Sequence, residues 1–440
     1  MDKLKEQILE LTKQYYEEHH KPKEFEVGKD KVNYGGRFFD AQEMENLVSA
    51  SLDFWLTNGE WTDRFEKGLA NYLGVKYCAF CNSGSSANLL AFSALTSPLL
   101  KERALHAGDE VISVACGFPT TITPILQYGC IPVFVDMKLP EYNIDENKIE
   151  EAISPKTKAI MLAHTLGNPF NLKKIKELCE KYGLWLIEDN CDALGSIYEG
   201  KYTGTFGDIG TSSFYPPHHM TTGEGGAVYT NNPILYRAIK SMRDWGRDCW
   251  CDSGRDNTCG YRFTKQFGQL PLGYDHKYVY SHFGYNLKAT DLQAAIGCAQ
   301  LEKLPEIGKR RRENFERITN NLQGCEPYLT LPKAEENSDP CWFGYLIYVN
   351  DGYGLSRLEL TKYLEEHLVQ TRNLFAGNII YHPCFDEIRD SDAYRVAGDL
   401  TVTDNIMNNA FWIGVYPGMT NEKIDYMTDM IKNYLKEKGY

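Results

Sequence analysis

The sequence has no run of about 18 apolar residues, the length that a membrane-spanning helix requires. It also lacks the apolar core of a secretion signal, since Met1–Lys23 is rich in lysine and glutamate and is instead typical of an exposed helix. These absences exclude a membrane protein as the expected class. We therefore predict a cytoplasmic protein with no membrane partner.

An excess of positive charge is missing as well. The chain has 47 Lys and Arg against 60 Asp and Glu, and its net charge of −13 argues against nucleic acid as a partner. Any phosphate ligand must then be bound by a local site. The 13 cysteines are an odd number in a chain without an export signal, so we expect reduced thiols or metal ligands and not a disulfide framework.

The 440 residues, 42% of them hydrophobic, are enough for an enzyme of two or three domains. Short apolar runs alternate with helix-like stretches such as 144–153 and 172–181, which predicts an α/β fold with a mostly parallel central sheet. After a predicted helix over 290–304, the pattern of helix-like and strand-like segments changes. We expect three parts: an N-terminal extension over 1–39, a large α/β domain over 40–304 with a cysteine-rich insertion near 245–280, and a small α+β domain over 305–440.

A small-residue turn follows the strand-like segment Tyr77–Cys81. Gly84 and Ser85 stand at the predicted start of the next helix, where free backbone N–H groups and hydroxyls can bind a phosphate. Turns of this kind also cap many helices that bind no ligand. The turn alone therefore leaves both alternatives open.

The segment Ser213–Gly226 contains two adjacent histidines and no lysine. Its pattern, Ser-Phe-x-x-x-His before Gly-Glu-Gly-Gly, resembles vitamin B6 enzymes in which a lysine at the position of His218 binds the pyridoxal aldehyde as an imine. Imidazole cannot form a stable imine, but it moves protons near neutral pH. We expect a cofactor held without a covalent bond, with His218 as the catalytic base. His219 is the alternative.

Other residues fit the same cofactor. Asp189 ends an apolar strand and is suited to keep a pyridine nitrogen protonated, although strand-end aspartates often only cap the next turn. Phe118 follows another strand and is expected to stack on the ring, or else to fill the core. Ser213 is expected to bond the phosphate, although a hydroxyl beside a strand end is commonly structural. Asn286 lies in a loop before an N-capped helix.

Four cysteines have an unusual spacing. Cys191 lies two residues after Asp189, and Cys249, Cys251 and Cys259 fall within a loop rich in Gly, Asp and Asn. Buried cysteines are common, but burial is not expected in such a loop. Four thiolates suit a [2Fe–2S] cluster or a tetrahedral zinc, and the spacing does not separate the two.

Taken together, the histidine and the cysteine spacing resemble the iron–sulfur, pyridoxamine-phosphate-dependent sugar 3-dehydrases within the DegT/DnrJ/EryC1/StrS-type sugar aminotransferases. The resemblance covers nearly the whole chain, from Tyr34–Arg37 to Thr371–Gly377. It implies the aspartate aminotransferase fold (fold type I), a homodimer, and electrons from an NADH-dependent flavin and iron–sulfur reductase. The implied reaction is C3 deoxygenation of a nucleotide-linked 4-keto-6-deoxyhexose, with the CDP-linked glucose derivative as the expected substrate.

The resemblance also implies the role of each residue. His218 is then the base, Asp189 the partner of the pyridine nitrogen and Phe118 the stacking ring. The phosphate contacts are Gly84, Ser85 and Ser213, with Asn286 reaching the partner subunit's cofactor, and the cluster ligands are Cys191, Cys249, Cys251 and Cys259. Arg372 is expected to contact substrate, with a structural ion pair as the alternative.

Three other functions remain open on the sequence. A cluster-free GDP-sugar 3-dehydratase has the same histidine but no use for the four cysteines. A nucleotide-sugar aminotransferase needs a lysine that is absent from 213–226. A non-catalytic metal-binding protein with a degenerate cofactor site needs only the cysteines.

Overall fold

The structure, a computed structural model, describes residues 2–21, 23–251 and 254–440. The helices in these ranges are α1 (Lys3–His19), α2 (Ala41–Asp53), α3 (Glu60–Leu73), α4 (Gly84–Leu95), α5 (Pro119–Gln127), α6 (Ile149–Ala152), α7 (Leu172–Tyr182), α8 (Pro233–Arg243), α9 (Asp291–Asn321), α10 (Arg357–Glu366), α11 (Thr401–Asn409) and α12 (Asn421–Glu437). Short 3₁₀ helices cover Pro98–Arg103, Thr165–Gly167, His276–Tyr278, Ile379–Tyr381 and Pro383–Phe385.

The strands are β1 (Tyr77–Cys81), β2 (Glu110–Ser113), β3 (Ile131–Phe134), β4 (Thr157–Ala163), β5 (Trp185–Asp189), β6 (Ile197–Tyr198), β7 (Lys201–Tyr202), β8 (Ile209–Ser213), β9 (Gly226–Thr230), β10 (Leu329–Thr330), β11 (Ser338–Asp339), β12 (Gly344–Val349), β13 (Arg395–Val396) and β14 (Ala410–Gly414). Eight of them form the central sheet in the order β1-β9-β8-β5-β4-β2-β3-β13. The neighbours from β8 to β13 are parallel, and β9 is antiparallel to both of its neighbours. This confirms the predicted α/β fold with a mostly parallel sheet.

Helices cover both faces of the central sheet, which is why its short strands are apolar and buried. On one face α4 and α8 bury Leu90 and Leu235 against the sheet. On the other face α7 buries Leu172 and Ile175. Helix α7 then ends at Gly183, whose positive φ of 66° closes the helix C-terminus without strain.

A second sheet of order β10-β12-β14 is antiparallel and belongs to the C-terminal part of the chain. Adjacent residues of β12 point to its two faces. Leu346 joins the apolar cluster of the large sheet, and Ile347 joins a cluster with α10 and α12. The second sheet is thereby packed against the first, which brings C-terminal side chains to the edge where β5 and β8 end.

Helix α9 is longer than the sequence predicted. It begins at Asp291, after a capping box formed by Thr290, and continues through Pro305 to Asn321. Proline removes one backbone hydrogen bond, but the helix is held by burial of Leu304 and Ile307 on either side. The expected domain boundary at 304/305 falls inside this helix, and the three-part division stays a prediction. Within 144–153, where a helix was predicted, the helix covers only α6, Ile149–Ala152.

The N-terminal helix α1 is exposed, as predicted, and buries none of its residues. It packs against α2. None of the helices in the described ranges has the length and hydropathy of a membrane span.

Candidate active site

A cavity of about 460 Å³ lies at the carboxyl ends of the parallel strands, where ligands bind in sheets of this kind. Its volume is in the range of small-molecule sites. The residues that line it are Tyr34, Ser83, Gly84, Ser85, Asn88, Phe118, Thr120, Ala163, Leu166, Asp189, Cys191, Asp192, Ser213, Tyr215, Pro217, His218, Glu224, Phe343, Arg372, Asn373, Phe375 and Trp412. The described residues of this lining include no lysine.

One end of the cavity is the N-terminus of α4. Ser83 caps the helix by accepting a hydrogen bond from the Ser86 backbone N–H, at 3.0 Å. A Cβ atom at Gly84 would stand 2.4 Å from Cβ of Ser213, so only glycine permits this close approach of α4 to the end of β8. The free N–H groups of the first helical turn and the Ser85 and Ser213 hydroxyls surround a position suited to a phosphate.

The buried carboxylate of Asp189, at the end of β5, lies beside Asn88, which is one helical turn after Gly84 on α4. Its Oδ2 accepts hydrogen bonds from Asn88 Nδ2 and Thr121 Oγ1, both at 2.7 Å. Its Oδ1 accepts one from the Cys191 backbone N–H, at 3.1 Å. These three donors fix the carboxylate at the cavity wall. A phosphate site at one end and a buried carboxylate at the other fit the two ends of pyridoxamine phosphate.

The structure separates the two adjacent histidines. His218 lines the cavity, whereas His219 is 3% exposed and its Nε2 lies 2.7 Å from the Cys341 carbonyl oxygen. Burial, with a smaller effect of Arg311, lowers the pKa of His218 to about 4. His218 is therefore a neutral ring next to the cofactor position. This placement favours His218 over His219 as the base.

Asp192 is a site residue that the sequence reasoning missed. Its Oδ1 lies 3.4 Å from Nδ1 of His218. Burial, with the nearby charge of Asp189, raises the pKa of Asp192 to about 8. A carboxyl group beside one ring nitrogen determines which nitrogen of the histidine carries the proton.

The backbone that carries His218 is held by a buried arginine on α9. Arg311 donates hydrogen bonds to the carbonyl oxygens of Pro217 and His218, at 3.3 and 3.2 Å, and to those of Trp342 and Phe343, at 3.1 and 3.3 Å. It ties the histidine loop to the residues just before β12. The position of the proposed base therefore depends on α9 and on the second sheet.

Aromatic side chains form the rest of the wall. Phe118 precedes α5, is half exposed and lies 6.3 Å from Phe375, ring centre to ring centre. Arg372 stands over the Tyr34 ring at 4.0 Å, and its Nη1 donates to its neighbour's backbone carbonyl. The described contacts of Arg372 include no carboxylate, so its charge is available to an anion at the mouth of the cavity.

Asn286 does not line this cavity. Its Oδ1 accepts a hydrogen bond from Lys288 Nζ at 2.6 Å. Nearby, Phe283 is fully exposed, at 101% of its reference area. The role expected for Asn286, in the site of a partner subunit, stays a prediction.

The four cysteines are divided between two places. The thiols of Cys249, Cys251 and Cys259 lie together in the loop after α8. Burial raises the pKa of Cys251, but hydrogen bonds from the side chain of Thr258 and the backbone of Cys259 outweigh this and lower the pKa to about 7. Cys191 lies elsewhere, in the cofactor cavity beside Asp189. The three loop thiols fit a metal centre, and within the described residues of one chain Cys191 does not join them.

Several residues that complete the site had no sequence signal of their own. Asn88 and Thr121 hold Asp189, and Arg311 holds the loop of His218, but each comes from a distant helix. Only Asp192 had a usable signal, because it stands three residues after Asp189 in an acidic strand end.

The fold and the cavity together define an enzyme with the fold of pyridoxal-phosphate-dependent aminotransferases. The chain belongs to the DegT/DnrJ/EryC1/StrS aminotransferase family, whose sequence model matches residues 39–432. It is 55% identical over 431 residues to the lipopolysaccharide biosynthesis protein RfbH of Salmonella typhimurium, with 98% of each chain covered.

Two further relatives are dehydratases by name. The chain is 48% identical over 435 residues to the dTDP-4-dehydro-2,6-dideoxy-D-glucose 3-dehydratase of Saccharopolyspora spinosa, with 99% of this chain and 93% of the relative covered. Among solved structures it is similar to E. coli GDP-4-keto-6-deoxy-D-mannose-3-dehydratase with bound hydrated PLP. That match has a TM-score of 0.81 and 28% identity, and it covers 91% of this chain and 99% of the other.

Proposed function

We propose that this chain removes the C3 hydroxyl group of a nucleotide-linked 4-keto-6-deoxyhexose with pyridoxamine phosphate as cofactor, on the way to 3,6-dideoxy sugars. The observation that carries the proposal is the cavity lining, which contains His218 and, among its described residues, no lysine. An aminotransferase of this fold binds its cofactor through a lysine. A histidine in its place keeps proton transfer and favours dehydration over transamination.

When bound, pyridoxamine phosphate supplies an amine for the C4 ketone and a ring that takes up electrons. The chain orients it from both ends. The N–H groups at the start of α4, with Ser85 and Ser213, hold the phosphate. Asp189, fixed by Asn88 and Thr121, keeps the ring nitrogen protonated, and that positive charge makes the ring a better electron acceptor.

His218 moves the proton. Its neutral ring would take a proton from the C4′ carbon of the bound cofactor, and departure of the C3 hydroxyl would accompany this proton removal. The same ring returns the proton to the departing hydroxyl, which leaves as water. Oδ1 of Asp192 lies 3.4 Å from Nδ1, and when ionised it favours the tautomer with the hydrogen on Nδ1, which leaves Nε2 free to act as the base.

The substrate end of the cavity has two properties. Arg372 offers a positive charge at the cavity mouth for the diphosphate. Tyr34, Phe343 and Trp412 form an apolar wall that suits a sugar with a methyl group at C6. We take CDP-4-keto-6-deoxy-D-glucose as the substrate, because the resemblance carried by His218 and the cysteine spacing implies it. The similarity to a 3-dehydratase of a 4-keto deoxysugar supports the class of sugar and not the nucleotide.

Dehydration leaves an unsaturated sugar that needs two electrons to complete deoxygenation. NADH gives electrons as a hydride pair, and a bound [2Fe–2S] cluster would supply the one-electron transfer that divides this pair. We assign the cluster to the loop of Cys249, Cys251 and Cys259, and the donor to an NADH-dependent flavin and iron–sulfur reductase. Cys191, which lines the cofactor cavity, is proposed as the fourth ligand, as the resemblance implies.

The active form is proposed to be a homodimer. Phe283 is fully exposed and Tyr280 and Trp245 are about half exposed, which is unusual for large apolar side chains on a free surface. Tyr280 and Phe283 lie on the same segment as Asn286, and the Trp245 backbone N–H donates to the Tyr285 carbonyl oxygen of that segment, at 2.6 Å. A second copy that covers them would bring Asn286 to the partner's cofactor phosphate.

The test is direct detection of C3–O cleavage. The purified protein, loaded with pyridoxamine phosphate, is mixed with CDP-4-keto-6-deoxy-D-glucose that carries ¹⁸O at C3, and the label in sugar and water is followed by mass spectrometry. Loss of the label from the sugar supports the proposal. An amino sugar formed with glutamate, with the label retained, contradicts it.

The dTDP- and GDP-linked sugars serve as controls for the nucleotide. A higher kcat/KM for either one would contradict the choice of CDP but not the dehydration. Iron and sulfide analysis after anaerobic purification separates the proposed enzyme from a cluster-free dehydratase. A protein that dehydrates the sugar but takes up no iron belongs to the cluster-free kind.

A further inference from the structure

The segment that precedes α2 is held against the second sheet and reaches the cofactor cavity. The backbone N–H of Val32 donates to the Leu368 carbonyl oxygen at 2.8 Å, and the Val32 carbonyl oxygen accepts from the Gln370 N–H at 2.9 Å. Val32 is 1% exposed. The chain then passes β14 so closely that a Cβ atom at Gly414 would lie 2.5 Å from the Tyr34 carbonyl oxygen. These contacts fix the backbone that carries the Tyr34 side chain.

The Tyr34 ring lines the cavity and lies under a charged group. The guanidinium carbon of Arg372 stands 4.0 Å from the centre of the ring. The same ring meets Trp412 edge to face, with ring centres 5.4 Å apart and 84° between the planes. Trp412 is fixed in turn, because its Nε1 donates to the Asn373 carbonyl oxygen at 3.0 Å and its backbone exchanges two hydrogen bonds with that of Arg372. The orientation of the Tyr34 ring is therefore set by its neighbours.

The ring restricts an arginine that is otherwise mobile in principle. Arg372 is exposed, and an exposed arginine loses rotamer freedom when it binds a ligand, which lowers affinity. A planar guanidinium stacks well on an aromatic face, so part of this loss is already met before the ligand binds. One of its five N–H donors goes to the Thr371 carbonyl oxygen at 2.7 Å. Within the described chain the other donors make no hydrogen bond, and their fork suits two oxygens of a phosphate.

We propose that Tyr34 is a positioning residue of the substrate site, whose ring holds the Arg372 guanidinium in the orientation that binds the diphosphate of a nucleotide-linked sugar. The inference rests on the proposed function, which supplies the nucleotide sugar and the contact between Arg372 and the diphosphate. It gives a role to the N-terminal segment, because Tyr34 lies ahead of residue 39, where the match to the family model begins.

The position of the stack determines which kinetic constant it affects. The diphosphate is attached to C1 of the sugar, away from the C3 and C4 atoms that react. Binding at C1 stabilises the substrate and the transition state alike, so its loss raises KM and leaves kcat unchanged. His218 and the groups that hold the cofactor do not take part in the stack.

The deciding experiment is calorimetric titration of CDP into the full chain loaded with pyridoxamine phosphate. Tyr34→Leu should weaken CDP binding about 2- to 30-fold, the range of a stack between a cation and a ring. Tyr34→Phe keeps the ring and should bind CDP as the original chain does. Cytidine has no phosphate, and its affinity should be the same in all three. Tyr182→Leu is the matched control, since Tyr182 carries Lys181 over its ring at 5.1 Å outside the cavity lining.

A double-mutant cycle with Arg372→Met tests whether the ring acts through the arginine. In the Arg372→Met background, Tyr34→Leu should cause no further loss of CDP affinity. Two losses that simply add would overturn the positioning role, as would a Tyr34→Phe chain that binds CDP as weakly as Tyr34→Leu. With the keto sugar as substrate, KM of Tyr34→Leu should rise by the same factor as the dissociation constant of CDP. A lower kcat at unchanged KM would overturn the role as well.

The inference and the proposed function fail separately, because CDP binding is measured without turnover. A chain that leaves the C3–O bond intact but loses CDP affinity in Tyr34→Leu contradicts the proposed function alone. A chain that cleaves this bond and binds CDP equally well in the original, Tyr34→Leu and Arg372→Met forms contradicts the inference alone. Tyr34→Leu should also retain its affinity for pyridoxamine phosphate. An equal loss of affinity for the cofactor overturns the positioning role, since the whole cavity would then be disturbed.

Discussion

Oδ1 of Asp192 lies 3.4 Å from Nδ1 of His218 at the wall of the cofactor cavity. Burial raises the pKa of the carboxyl group and lowers that of the ring, so the pair is held without net charge. Proton removal from the cofactor requires a free Nε2, which exists when Asp192 is ionised and Nδ1 carries the hydrogen. The ability of His218 to act as a base therefore depends on the protonation state of Asp192.

A first prediction concerns the pH dependence of catalysis. The pKa of Asp192 is raised to about 8, so the base-competent form of the pair increases as pH rises from 6 towards 8. The rate of hydrogen exchange at the cofactor C4′ should rise over the same interval. In Asp192→Asn the rise should be absent and the rate lower by about 10²-fold or more, because the amide no longer favours the right tautomer. An unchanged profile in the variant would remove Asp192 from the mechanism.

The same residue predicts a change in stability. Because the folded-state pKa of Asp192 is raised, its contribution is fully present below the unfolded pKa and is lost as pH rises through the folded pKa of about 8. Relative to Asp192→Asn, the free energy of unfolding of the original chain should fall by up to about 1.4 kcal/mol per pH unit between pH 5 and 8. Urea unfolding of both proteins, free of cofactor, measures this difference. The prediction would be contradicted if the difference in unfolding free energy between the two proteins did not change with pH.

The contact between Gly84 and Ser213 predicts a loss of cofactor affinity. A methyl group at position 84 would meet Cβ of Ser213 at 2.4 Å, and such overpacking costs about 1–3 kcal/mol. Because this strained contact lies at the proposed phosphate site, Gly84→Ala should weaken pyridoxamine phosphate binding roughly 10- to 100-fold. Equilibrium dialysis measures the affinity. Gly308→Ala is the matched control, since its methyl group would meet the flexible end of Arg312 at 3.0 Å and Sγ of Cys341 at an ordinary contact distance of 3.4 Å.

Removal of one loop cysteine should separate the two half-reactions. Cys251→Ala is expected to lose the visible absorption of the cluster and the reduction step, yet to retain dehydration, because the thiol lies outside the cofactor cavity. Cys384→Ala, at an exposed cysteine, is the control and should keep both. If Cys251→Ala still completes deoxygenation with the reductase, the electron path does not pass through this loop.

The sequence predicted the parts of the site that lie in contiguous motifs at strand ends. Gly84, Asp189, Ser213 and His218 all line the cavity, because the carboxyl ends of neighbouring parallel strands meet at one edge. The parallel sheet itself followed from the alternation of apolar runs with helical stretches. These features depend on local pattern and on a general rule of topology.

What was missed depends on contacts between distant segments. Arg311 reaches the histidine loop only because α9 continues past Pro305, and a proline in the sequence favours a helix end. Nδ1 of His276 lies 3.4 Å from Sγ of Cys259, but the two residues are 17 positions apart and no motif links them. Cys191 was grouped with the loop thiols by its spacing in the sequence; it lines the cofactor cavity, and its role as a ligand stays a prediction.

The most direct test of the central claim is hydrogen exchange at C4′ of bound pyridoxamine phosphate in deuterated water, compared between the original chain and His218→Asn. The account predicts exchange in the original chain, a loss of about 10²- to 10⁴-fold in the variant, and an unchanged affinity for the cofactor. Exchange at the original rate in His218→Asn would contradict the account, because the proton would then be moved by another group.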